Sequence, residues 1–134
     1  MLSKRQKILV VDDERALAVT LATIFESQSY ETAMAYSGEE AVQVAESFHP
    51  DCIVSDVNMG AMNGIDAAIR ILDTLPDCKV LFMSGSNAYF DLLGDLVAKG
   101  FDFEFVQKPV PPYELLRTIS KILSQPVERE KLTA

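Results

Sequence analysis

The chain has 134 residues, 49% of them apolar and 8% aromatic, and a formal net charge of −8. That is the size of one domain, long enough to bury a core without disulfide or metal staples. So acidic a balance argues against a broad nucleic-acid surface, which needs Lys and Arg against phosphates.

No run of about 18 apolar residues is present, so no membrane span is expected. The basic opening, Met1 to Lys7, lacks the apolar stretch of a signal peptide. A cytoplasmic location is therefore expected. Cys52 and Cys78 form no C-x-x-C pair and read as buried, reduced thiols. The single histidine, His49, precedes Pro50 and reads as a turn residue.

Apolar clusters of two periods alternate along the chain. Lys7 to Val11 is a short run of branched residues, suited to a strand buried on both faces. Leu17, Leu21, Ile24 and Phe25 recur at helical spacing. Tyr30 to Tyr36 is a weaker strand. Ser37 and Glu40 form an S-x-x-E capping box before Ala41, Val44, Ala45 and Phe48, and Pro50 closes that helix. Asp51 to Ser55 is a third strand. Ile65, Ala68, Ile69 and Leu72 mark a helix that ends before Pro76.

Lys79 to Met83 is a fourth strand. Tyr89 to Lys99 is a helix interrupted by Gly94 and stopped by Gly100. Phe103 to Val106 is a fifth strand. Pro111 and Pro112 open a last helix lined by Leu115, Leu116, Ile119, Ile122 and Leu123, which Pro126 ends. The expected domain is residues 1–125, with 126–134 a short charged tail or linker stub.

Five strand–helix units predict an α/β fold: a doubly wound five-stranded parallel sheet with five helices on its two faces. Ligands in such sheets sit beyond the carboxyl ends of the strands. Asp12 and Asp13 end the first strand, Asp56 the third, Ser84 the fourth and Lys108 the fifth. Singly, each has an ordinary explanation as a cap, a loop carboxylate, a turn residue or a surface lysine. Together they place three acids, a hydroxyl and an ammonium at one edge. Three neighbouring carboxylates repel unless a cation stands among them, and hard oxygen donors suit Mg²⁺. A carboxylate beside Mg²⁺ can attack phosphorus. The hydroxyl and ammonium suit the phosphoryl oxygens.

The segments Ile-Leu-Val-Val-Asp-Asp-Glu (8–14), Ser-Asp-Val-Asn-Met with Gly64 after it, Met-Ser-Gly (83–85) and Lys-Pro (108–109) resemble the receiver domains of bacterial response regulators over about residues 7–124. The resemblance implies a flavodoxin-like topology and a phosphoryl group received on Asp56 from a histidine kinase or phosphotransfer protein. It implies Mg²⁺ held by Asp13, Asp56 and the Asn58 backbone carbonyl, with Asp12 acting through a water. It also implies Ser84 and Lys108 on the phosphoryl group, Phe105 as an aromatic switch, and Asn58 and Ser86 as tuners of phosphoryl lifetime. Such a domain is not an enzyme beyond its own phosphorylation and dephosphorylation. Its changing surface would be the fourth helix, fifth strand and fifth helix, facing a downstream protein or a second copy.

Three departures from the family pattern stand out. Gly60 replaces a frequent Pro, Ser84 replaces the commoner Thr, and residues 100–108 form a slightly long segment in which Phe101, Phe103 and Phe105 alternate. Those rings suit either core packing or a partner. The fourth helix, with Tyr89, Phe90, Leu92, Leu93, Leu96 and Val97, is more apolar than one buried face requires. Two rival readings are a pseudo-receiver that binds partners without phosphate, and an enzyme of flavodoxin or phosphatase type. The acidic first loop and the lack of a D-x-D nucleophile motif oppose the second.

Overall fold

The computed structural model describes residues 5–59, 62–85 and 90–125, and the side chains of all of these but Phe90, Asp91, Leu92 and Asp95. Ser86, Tyr89, Gly60 and the tail from Pro126 onward lie outside the described residues. The elements are β1 (Lys7–Val11), α1 (Arg15–Ser27), β2 (Glu31–Ala35), α2 (Gly38–Phe48), β3 (Cys52–Asp56), α3 (Gly64–Thr74), β4 (Lys79–Ser84), α4 (Phe90–Ala98), β5 (Glu104–Gln107) and α5 (Pro112–Leu123). All strand pairs are parallel and the order is β2-β1-β3-β4-β5. The expected doubly wound fold is the fold observed. No helix among the described residues is long and apolar enough to cross a membrane.

The strands read as continuous apolar runs because both faces of the sheet are covered. Leu9, Val11, Ile53, Val80 and Phe82 pack on one side with residues of α2, α3 and α4. Ile8, Val10, Cys52, Val54, Leu81 and Met83 pack on the other with α1 and α5. The two cysteines thus belong to opposite faces and stay free. Burial pushes the Cys78 thiol up to about 12 and Cys52 well above its ordinary value. Phe101, Phe103 and Phe105 all pack, half-buried, against the α2–α3–α4 side, and Phe103 meets Phe82 edge-on at 5.6 Å.

Some boundaries move. β3 extends to Asp56, and β5 begins at Glu104 rather than Phe103. Register explains the first shift: Asp56 stands opposite Met83 and so belongs to the β3–β4 ladder. At the other end of β3, the Asp51 carboxylate accepts the Lys7 amide at 2.8 Å, closing the sheet's lower edge.

Helix ends follow local chemistry. In the capping box, Ser37 Oγ accepts from the Glu40 amide at 3.0 Å, while Glu40 Oε1 accepts from the Tyr36 amide at 2.6 Å. Asn63 caps α3 by accepting from Asp66, a cap the apolar periodicity did not reveal. Gly100 (φ +84°) ends α4 in a Schellman turn, with Phe101 N–H donating to Leu96 and Gly100 N–H to Val97. α1 ends in the same turn, but Ser29 (φ 71°) holds the left-handed position.

Two substitutions at backbone-limited positions should move stability in opposite directions. Ser29→Gly removes the left-handed penalty and should stabilise the fold by about 0.5–1 kcal/mol. Gly64→Ala should destabilise it by about 1–3 kcal/mol, because a Cβ there overlaps the Asp56 carbonyl oxygen. Urea unfolding of both variants beside the wild type measures each change.

Candidate functional site

The sheet's order reverses between β1 and β3: the chain leaves β1 for β2 on one flank and returns to β3 on the other. The crevice opens at the carboxyl ends of those two strands. Asp12 and Asp13 follow β1 directly, and Asp56 ends β3. Carboxylate oxygens of Asp12, Asp13 and Asp56 lie within 4.8 Å of one another. Asp12 is 1% exposed and Asp56 8%, while Asp13 faces solvent.

Asp12 does more than cap a turn. Its Oδ1 accepts from the Glu14 amide at 2.9 Å, steering the chain into α1, and its Oδ2 meets Lys108 Nζ at 3.1 Å. The N-cap position itself belongs to Glu14, whose side chain makes no cap bond. Lys108 Nζ also stands 3.5 Å from Asp56 Oδ2. Asp56 Oδ1 in turn lies 3.4 Å from the Asn58 amide. The Lys108 backbone amide donates to the Ser84 carbonyl at 2.8 Å, tying the ends of β4 and β5 together. Ser84 is buried, and Phe105 sits opposite Phe82 in the β4–β5 register.

All the expected site residues among those described therefore come to one sheet edge, with Phe105 set back within β5. Ser86 lies outside the described residues.

The electrostatics follow from burial and count. Burial raises the Asp56 pKa; Lys108 works against this and Asp12 adds to it. Burial alone would lower Lys108, but the hydrogen bond to Asp12 and the charges of Asp56 and Asp12 outweigh it, and its pKa is raised. The lysine is thus held firmly charged. One ammonium among three carboxylates still leaves two negative charges unmatched. The donors are all oxygen, with neither thiolate nor imidazole in the cluster. That set fits a hard divalent cation such as Mg²⁺.

One residue at this edge escaped the sequence reading. Ser55 is 1% exposed, and its hydroxyl donates to the Asp56 carbonyl at 3.0 Å. Its signal was available: a lone hydroxyl inside the apolar run Cys-Ile-Val-Ser.

Comparison with protein families matches residues 8–120 to the response regulator receiver domain. The chemotaxis protein CheY of Thermotoga maritima is 30% identical over 118 residues, which is 87% of this chain and 97% of that protein. The DNA-binding response regulator MtrA of Mycolicibacterium smegmatis is 30% identical over 86% of this chain, but the match spans only 49% of MtrA. Among solved structures, a CheY-like receiver domain protein from Methanospirillum hungatei superposes with a TM-score of 0.82 at 25% identity, covering 96% of this chain and 98% of that one. Chemotaxis protein CheY4 of Vibrio cholerae gives 0.78 at 26% identity, over 89% of this chain and 99% of its own.

A raised carboxyl pKa means that the fold binds this proton more tightly than the unfolded chain does. Stability is then lost as pH rises from the ordinary carboxyl value of about 3.9 through the folded value. In metal-free buffer, Asp56→Asn should therefore be more stable than the wild type near neutral pH, with the gap closing as pH falls toward 4. Thermal melts in EDTA across that range measure it; a gap that widens on acidification would contradict the burial-dominated site.

Proposed function

The chain belongs to the response regulator receiver family, and on that premise we propose that it accepts a phosphoryl group on Asp56 from the phosphohistidine of a histidine kinase or phosphotransfer protein. The observation that carries this reading is the single ammonium of Lys108 shared between two buried carboxylates, 3.1 Å from Asp12 and 3.5 Å from Asp56. An ion pair of that kind holds the acceptor in place and keeps a cation beside the reacting centre.

In the transfer, an Asp56 carboxylate oxygen attacks phosphorus. The P–O bond forms as the P–N bond of the phosphohistidine breaks, and the leaving imidazole nitrogen keeps the electron pair. Lys108 and the Ser84 hydroxyl are the groups that would meet the phosphoryl oxygens, as phosphoryl transfer demands positioned charge more than acid–base chemistry. Asp13, Asp56 and the Asn58 carbonyl would hold Mg²⁺ directly, with Asp12 behind a water. Bound there, Mg²⁺ supplies neutralising charge for the carboxylates and the incoming phosphoryl group. Asn58, two residues after the acceptor, and Ser86, two after Ser84 in the sequence, would tune how long the group survives. The domain turns over no separate substrate: it phosphorylates itself from a donor and loses the group by hydrolysis.

The new charge is read as a population shift. Ser84 is drawn to the phosphoryl oxygens, Phe105 turns inward, and the face formed by α4, β5 and α5 is remodelled. Of three exposed large apolar side chains among the described residues, Val97 (62%) lies on α4 and Tyr113 (69%) on α5, which supports that face as the docking surface for a downstream protein or a second copy. The setting is cytoplasmic, where such donors act.

Intact-protein mass spectrometry after incubation with acetyl phosphate and Mg²⁺ tests the acceptor. One phosphoryl adduct is expected in the wild type, none with EDTA and none in Asp56→Asn. A wild type that binds Mg²⁺ in a separate titration yet takes no adduct would favour a phosphate-independent binding module.

A further inference from the structure

Ser55 sits on β3 immediately before the acceptor, with its side chain on the α2–α3–α4 side by strand alternation from Ile53. Serine adds little to apolar packing, and a buried hydroxyl needs a partner. That partner is the Asp56 carbonyl oxygen, 3.0 Å away. The carbonyl stands where the sheet is running out, because the β1–β3 ladder stops at Val11↔Ser55, one residue short of Asp56. The hydroxyl supplies a donor just where regular pairing on that side has ended.

Gly64 closes the same spot from above. A Cβ at Gly64 would overlap the Asp56 carbonyl oxygen and come within 2.7 Å of Ser55 Oγ. The Gly64 amide donates to the Val57 carbonyl at 2.9 Å, and the Val57 amide donates to the Met83 carbonyl at 3.1 Å. The peptide between Asp56 and Val57 is thus fixed by a hydroxyl, a glycine contact and the Val57 N–H bond, and the Gly64 amide holds the next peptide. From that peptide hang the Asp56 carboxylate on one side and the backbone leading to Asn58 on the other.

We propose that Ser55 is a positioning residue for phosphoryl acceptance: its hydroxyl, packed under Gly64, orients the Asp56–Val57 peptide and so sets where the acceptor carboxylate and the Asn58 carbonyl stand. The proposal rests on Asp56 being the acceptor. Ser55 touches neither donor nor metal and acts through Asp56. Replacing the hydroxyl by hydrogen, as alanine does, leaves this carbonyl without that donor. The peptide is then free to tilt, and small tilts of a reacting group are costly in rate.

The test compares wild type, Ser55→Ala and Ile122→Val, the last a core trimming on α5 away from the site. Acetyl phosphate is the donor at saturating Mg²⁺. Ser55→Ala should lower the maximal phosphorylation rate about tenfold, the rate equivalent of one lost hydrogen bond, with little change in the half-saturating donor concentration. Ile122→Val should lower the melting temperature without moving that rate by more than about twofold. A Ser55→Ala protein that phosphorylates at the wild-type rate overturns the proposal. So does a rate loss that Ile122→Val reproduces at equal loss of melting temperature. Should Ser55→Ala fail to fold, Ser55→Cys, a weak donor of similar shape, carries the same comparison.

Calorimetric Mg²⁺ titration separates this proposal from the reading beneath it. If the wild type takes no phosphoryl group, the acceptor assignment fails. Ser55 is then judged on metal affinity, where about tenfold weaker binding in the alanine variant upholds positioning and equal affinity removes it.

Discussion

Two carboxylates buried at neighbouring strand ends would drive the site apart if nothing positive stood between them. Lys108 stands between Asp12 and Asp56, reaching both from the far end of the chain. Its own amide is pinned to the Ser84 carbonyl, so the ammonium is delivered by backbone as much as by side chain. The pair is not there chiefly for stability, since buried charges seldom repay their desolvation. Its effect is to hold two acids, one of them with a pKa raised by burial, in a place where water alone would not keep them.

That arrangement depends on the sheet beneath it. Each central strand is apolar on both faces, which leaves no room for charged groups until the strand ends. Parallel pairing then brings all those ends to one edge, and the order β2-β1-β3-β4-β5 makes β1 and β3 neighbours across the reversal. The acids of β1 and β3 meet for that reason, although more than forty residues separate them along the chain. Charge gathers at the strand ends because it is excluded from the sheet's buried middle.

The turn from β3 into α3 shows how finely such an edge is built. Gly64 allows α3 to begin directly over the Asp56 carbonyl, and Ser55 supplies a donor from below. An acceptor must be rigid enough to present its oxygen, yet its surroundings must respond when charge arrives. The tight junction lies on the β3 side. Ser84 and Phe105, the expected responders, lie on β4 and β5.

Much of this is legible in the amino-acid sequence. The alternation of strand-length and helix-length apolar runs determined the five-unit α/β fold, because each period reflects how many faces an element buries. The capping box at Ser37 and the stop at Gly100 were readable because their causes are local. The residue types at the strand ends, Asp12, Asp13, Asp56, Ser84 and Lys108, determined the chemistry and carried the family resemblance. Tertiary structure alone decided which of those acids are buried, and that Asp12 and Asp56 share one lysine while Asp13 faces solvent. It also decided that Cys52 and Cys78 lie on opposite faces, and that Ser55 and Gly64 close on the same carbonyl. Those facts depend on register and on distances between residues far apart in sequence, which no local pattern encodes.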